Sequence, residues 1–164
     1  MQIRNETTDD LPAISRLVTD AFLTMPHSSG TEASIVAALR AAGALTLALV
    51  ADDEGEIVGY LAASPARIET QDGWHLIGPV AVLPERQGQG IGASLIVEAL
   101  RQLRTNSKGA ALVGDAAYYS RFGFRTFPGL GVTGCPPEVV QALPFSDGEP
   151  RGEVIHHPAF GLKQ

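Results

Sequence analysis

The feature that most restricts this chain is a junction between two kinds of structure. Val80-Ala81-Val82-Leu83-Pro84 reads as the end of a buried strand, and Gln87-Gly88-Gln89-Gly90-Ile91-Gly92 follows it, alternating glycine with larger residues. From there Ile91, Leu95, Ile96, Ala99, Leu100 and Leu103 recur every three to four positions, which predicts an amphipathic helix. The first N–H groups of such a helix have no intrahelical partner and lie at the positive end of its dipole. Glycines at alternate positions let an anion reach those groups with no Cβ in the way, so the junction has the chemistry of a phosphate site. A turn needing glycine only for positive φ would require fewer of them.

The rest of the chain supplies a mixed α/β setting for that junction. A first strand is expected near Gln2 to Asn5, and Thr7 or Thr8 can cap a helix bearing Leu11, Ile14, Leu17, Val18, Ala21 and Phe22 on one face. Thr24 to Gly30 reads as a loop; Thr31 and Glu32 open a second helix carrying Ile35, Val36 and Leu39, which Gly43 ends. Leu45 to Ala51 and Ile57 to Ala63 form a predicted hairpin around Gly55, and a turn near Thr70 to Gly73 leads into Trp74 to Leu83, where Gly78-Pro79 marks an edge or a bulge. After the amphipathic helix, Gly109 to Val113 reads as a buried strand and Ala116 to Phe122 as a short helix. Beyond it, strands are expected near Phe124 to Phe127 and Glu153 to His157, with a helical turn around Val139 to Leu143. No repeat or linker interrupts the order β-α-α-β-β-β-α-β-α-β, and residues 1–164 are read as a single domain with helices against a central sheet.

Composition excludes several function classes. The formal charge is −6 and no run of Lys or Arg occurs, so no footprint for a nucleic-acid backbone exists. The N-terminus turns polar at once, without a leader or membrane span, and Cys135 is the only cysteine, both of which point to the cytoplasm. No metal site is expected. His156 and His157 are adjacent on a predicted strand and would face opposite ways, while His27 and His75 are isolated. Cys135 has no base or helix N-terminus to activate it, and Glu32 and Arg40 read as a solvated helix face.

Two other readings of the glycine turn compete. Gly88, Gly90 and Ala93 satisfy Gly-x-Gly-x-x-Ala, the dinucleotide fingerprint, with Asp115 placed where a ribose-binding acid would stand; this implies a nicotinamide or flavin oxidoreductase. Against it, Pro84 to Gln87 separate the strand from the turn, and too little chain follows for a second half-sheet. A Walker A loop is excluded because no Gly-Lys-Ser or Gly-Lys-Thr follows.

Val82-x-Pro84-x-x-Gln87-x-x-Gly90-x-Gly92 resembles the Arg/Gln-x-x-Gly-x-Gly/Ala motif of the GCN5-related N-acetyltransferases. A second segment, Tyr119-Ser120-Arg121-Phe122-Gly123-Phe124, is similar to that family's Tyr-x-x-x-Gly-Phe. Gly78-Pro79-Val80, Gly114-Asp115-Ala116-Ala117-Tyr118-Tyr119 and Pro158-Ala159-Phe160 resemble the bacterial YhbS-like branch. The resemblance implies an acyl-CoA N-acyltransferase fold: a mixed, mostly antiparallel sheet flanked by helices, with its fourth and fifth strands splayed. It implies acetyl-CoA as cosubstrate, held by Val80, Ala81 and Val82 along the strand and by Gln87, Gly88, Gln89, Gly90, Ile91, Gly92 and Ala93 at the turn. The reaction it implies is direct acetyl transfer to a small-molecule or peptide amine, with the N–H near Val82 polarising the thioester carbonyl and Tyr119 as general acid. Tyr119 read without the resemblance is a core aromatic beside Phe122 and Phe124, and Tyr118 points elsewhere on the helix.

The sequence departs from the pattern in two places. The family often carries Asn seven residues before the tyrosine, where this chain has Leu112, with Asp115 a possible substitute. Trp74 to Leu83 also lacks the strand-four carboxylate that serves many members as base; Glu69, Asp72 and His75 are merely nearby, and none is assigned. The missing carboxylate leaves open a module that binds acyl-CoA without chemistry. Family members often pair, so a homodimer is a further expectation.

Overall fold

The computed structural model describes residues 1–23 and 30–163, so the Thr24 to Ser29 part of the expected loop, including His27, lies outside the described residues. Six strands lie side by side: β1 (Gln2–Asn5), β2 (Leu47–Asp53), β3 (Glu56–Ile68), β4 (Gln71–Val82), β5 (Gly109–Val113) and β7 (Val140–Pro144). Two short strands, β6 (Leu130–Gly131) and β8 (Gly152–Ile155), pair with each other, and β8 also pairs with β3 past the end of β2. All these pairs are antiparallel except β4 with β5 and β6 with β8. Among the described residues the α-helices are α1 (Leu11–Leu23), α2 (Glu32–Ala41), α3 (Ile91–Leu103) and the single turn α4 (Ala116–Tyr119).

Each helix buries the stripe that its periodicity predicts. Leu95, Ile96 and Ala99 of α3 are wholly buried against Leu49, Leu61, Ala110 and Leu112 on one face of the sheet. Ile14, Leu17 and Val18 of α1 pack with Val36 of α2 on Val50, Tyr60 and Ala62 of the other face. Truncating a residue such as Leu95 to alanine would cost about 2–5 kcal/mol, because a packed interior collapses only partly into the space left behind. A second apolar cluster extends the latter face through Trp74, Leu76, Phe127 and Val154.

Three sequence expectations change. β3 runs on to Ile68 and β4 begins at Gln71, so the turn is the pair Glu69-Thr70, with Glu69 at φ 54°, and Gly73 lies inside the strand. Within that longer β3, Pro65 falls between the last β2 pair at Ala63 and the first β8 pair at Arg67, where no neighbour on that edge asks for its N–H. Val140 to Pro144 form strand β7 rather than a helical turn, paired with all five residues of β5. A β5 buried from Gly109 to Leu112 needs a second neighbour, and that demand overrides the helical preference of Gln, Ala and Leu. Phe124 to Phe127 form no strand of their own and make only the bridge Arg125 to Ala142.

The site is positioned by a defect in the sheet. β4 and β5 pair only from Trp74 with Gly109 to Leu76 with Ala111, and both strands then continue without pairing to each other. Immediately past that point, Ala63 faces Ile77 while Leu61 faces Val80, so β4 carries one residue more than β3 across Gly78-Pro79. This is a bulge, which bends the strand and ends its pairing on the far side. The crevice implied by the splayed-strand expectation is therefore present.

Candidate active site

The open edge of β4 exposes its main chain in an alternating pattern. Leu83 donates its N–H to Val58 of β3, and an antiparallel ladder then directs the amides of Val80 and Val82 away from β3, into the crevice. The Val82 carbonyl accepts from the Gln87 side chain at 3.3 Å, which confirms that direction. Ala81 turns its main chain toward β3 and buries its side chain against α1.

Past Pro84 the chain makes one short helical turn and enters the glycine segment. Gly88 and Gly90 adopt φ of 80° and 83°, a region open to glycine without a Cβ penalty. Gly90 caps α3, and the first main-chain bond of that helix is Ser94 N–H to Gly90 O. Among the described residues, the N–H groups of Gly88, Gln89, Gly90, Ile91, Gly92 and Ala93 find no protein acceptor. Gln87 through Gly90 are exposed. Arg86 braces the turn from behind: it donates to Asp53 at 2.7 Å and to Gln89 at 3.1 Å, and lies 3.8 Å from Glu56. A ready-made arc of unpaired amides at the positive end of a 13-residue helix fits a diphosphate.

Across the crevice, Asp115 accepts from Ala117 N–H and caps α4, so this carboxylate is engaged in starting a helix turn. The two tyrosines of α4 diverge at right angles, with ring centroids 5.0 Å apart. Tyr119 packs on Phe124 and over Gly114, where a Cβ would meet its ring at 2.6 Å, so only glycine fits under it. Its hydroxyl has no protein partner among the described residues, and burial pushes its pKa up to about 12. Tyr118 instead sends its hydroxyl to α3, 3.3 Å from where a Cβ on Gly92 would stand.

The sequence reading missed Gln141. It is wholly buried on β7 and donates to the Gly114 carbonyl at 3.0 Å, while Gly114 N–H bonds Val139. The strand-to-helix corner that carries Tyr119 is thus tied from β7, whereas Leu112 is simply core. The only available signal was a lone polar residue inside Val139 to Leu143.

Other candidates fall away from the crevice. Glu69 and Asp72 sit at the opposite end of β4, and buried His75 bonds Ser107 at 2.8 Å, its pKa lowered by desolvation. His156 Nδ1 donates to the His157 carbonyl, and His157 Nδ1 accepts from Ala159 N–H, so both rings serve the local backbone. Cys135 is half-buried against the apolar cluster. Arg40 is no free surface cation: it grips both oxygens of Glu6, at 2.9 and 3.1 Å, beside the buried Tyr60 hydroxyl. Among the described residues no helix is long and apolar enough to cross a membrane.

Known proteins with this arrangement decide the family. A sequence profile described as the acetyltransferase (GNAT) domain matches residues 45–126. The N-acetyltransferase YhbS of Escherichia coli K12, itself uncharacterised, is 42% identical over 127 residues, which cover 76% of this chain and 73% of the relative. The chain belongs to the GNAT family. A GNAT acetyltransferase from Brucella melitensis, crystallised with acetyl-CoA, superposes with a TM-score of 0.86 at 43% identity over 97% of both chains. YhbS from Escherichia coli in complex with CoA superposes with a TM-score of 0.88 at 34% identity, covering 98% of this chain and 91% of that one. This GNAT membership removes the dinucleotide reading of Gly88, Gly90 and Ala93, and the antiparallel β3–β4 pair agrees, since a dinucleotide half-sheet is parallel throughout.

Proposed function

We propose that this GNAT enzyme, an acetyl-CoA-dependent N-acetyltransferase, transfers acetyl directly to an amine in the crevice between β4 and β5. The observation that carries the reading is the run of unpartnered amides from Gly88 to Ala93 beside a sheet that opens at Gly78-Pro79. The diphosphate of the cosubstrate lies on those amides, with Gln87 folded against the strand end. Its pantetheine arm adds to the open edge of β4 at Val80 and Val82, as an extended chain adds to a free strand edge.

The amine nitrogen attacks the thioester carbonyl carbon, and the N–H of Val82 stabilises the oxygen that becomes negative. The C–S bond then breaks. Tyr119 donates its proton to the departing sulfur and regains one from solvent, while the amine loses its extra proton to water. With a pKa near 12 the phenol stays protonated across the working range, as an acid must. No carboxylate stands on β4 beside the crevice, which favours an α-amine, about 1 unit above neutrality, over a lysine-like amine about 3 units above it. The acceptor on this reading is a small molecule or peptide carrying such an amine.

Thiol release from acetyl-CoA across a panel of amines tests the reaction. Activity with an α-amine supports it; tight acetyl-CoA binding without turnover on any amine points to a module that binds and does not transfer. Tyr119→Phe should lower kcat by about 10²-fold while the acetyl-CoA Kd stays within about twofold. An unchanged kcat would remove the acid role from Tyr119.

A further inference from the structure

The amide arc accounts for two of the three phosphate groups of a coenzyme A nucleotide. The third is a phosphate monoester on the ribose, dianionic near neutrality, and an anion of that kind calls for a cation. Arg86 touches the turn directly, and Arg121 is joined to it through Tyr118. Arg86 is consumed by Asp53, Glu56 and Gln89, so its charge is neutralised within the protein.

Arg121 is placed differently. Its Nε donates to the Tyr118 carbonyl at 2.9 Å, and its guanidinium carbon lies 4.5 Å over the centre of the Tyr118 ring. No carboxylate among the described residues pairs with it, and it is exposed. The ring beneath it carries the hydroxyl that reaches Gly92, so the guanidinium stands one tyrosine ring away from the amide arc. A stacked, planar guanidinium whose two terminal nitrogens have no partner among the described residues is pre-organised to grip a phosphate by two parallel bonds.

We infer that Arg121, stacked on Tyr118, forms a second phosphate subsite beside the glycine turn and selects coenzyme A carrying the ribose phosphate over the form lacking it. This rests on the acetyl-transfer reading of the same crevice. Tyr118 is the platform and Arg121 the contact; neither touches the reacting carbonyl.

The test is calorimetric binding of CoA and of dephospho-CoA to the wild type and to Arg121→Ala. The wild type should bind CoA about tenfold or more tighter than dephospho-CoA, and Arg121→Ala should erase that preference while leaving the dephospho-CoA Kd within about twofold. Tyr118→Phe, which retains the ring, should keep the preference; Tyr118→Ala, which removes it, should reduce it. Equal losses for both nucleotides in Arg121→Ala would place the residue on the diphosphate and overturn the assignment, as would a wild type that binds both equally. A wild type that binds neither nucleotide would instead bring down the acetyl-transfer reading itself.

Discussion

Two polar regions of this protein treat their hydrogen-bonding groups in opposite ways. Where β1 meets α1, α2 and the β2–β3 hairpin, charges close on one another: Arg4 joins Asp10 at 2.8 Å and Asp52 at 3.1 Å, and Arg40 joins Glu6 under Tyr60. At the turn into α3, successive main-chain donors find no acceptor among the described residues. A saturated cluster holds elements together and has nothing left to offer a ligand. An unsaturated one at a helix N-terminus leaves its donors unpaired until an anion supplies the missing bonds. Both regions are polar, and only the unpaired groups distinguish the binding site from the brace.

That contrast can be broken most forcefully at the turn. Gly90→Glu puts a carboxylate and a strained φ of 83° into the amide arc, and the acetyl-CoA Kd should rise by more than about a hundredfold. The fold should survive, with a stability cost of about 1–2 kcal/mol from the left-handed backbone. Cofactor affinity that persists would mean the arc is no binding site. Arg40→Ala, in the saturated region, should do the reverse. It strands the Glu6 carboxylate and should lower unfolding stability in urea by about 1–3 kcal/mol, with acetyl-CoA affinity unchanged.

The smallest effect concerns acid. The Arg4 guanidinium, with the Thr7 N–H and hydroxyl, holds the Asp10 pKa down to about 2 despite its burial. A carboxylate depressed in the folded state contributes stability that is present above its unfolded pKa near 4 and is lost as pH falls through about 2. Asp10→Asn should remove about 1–2 kcal/mol at pH 7 and flatten the acid limb of stability between about pH 4 and 2. An unaltered acid limb would show that the saturated cluster is not carried by this pair.

Much of the fold was legible because it rests on local rules. The stripes of α1 and α3, the Gly55 hairpin and the short α4 follow from spacing and from glycine, and the structure forms them where expected. β7 was read as helical because Gln141, Ala142 and Leu143 are good helix formers; pairing with the buried β5 beside them makes a strand. The turn expected around Thr70 to Gly73 closes instead at Glu69-Thr70, because β3 and β4 pair as far as Ile68 with Gln71.

The amino-acid sequence by itself determined the strand–glycine–helix junction, since backbone freedom at Gly88 and Gly90 and the periodicity of α3 are properties of neighbouring residues. What surrounds that junction was decided by the tertiary structure. The crevice between β4 and β5, Gln141 under Gly114, and Arg121 stacked on Tyr118 beside Gly92 each join residues distant along the chain. Such meetings depend on how the sheet closes and where it fails to close, and no local spacing carries that information.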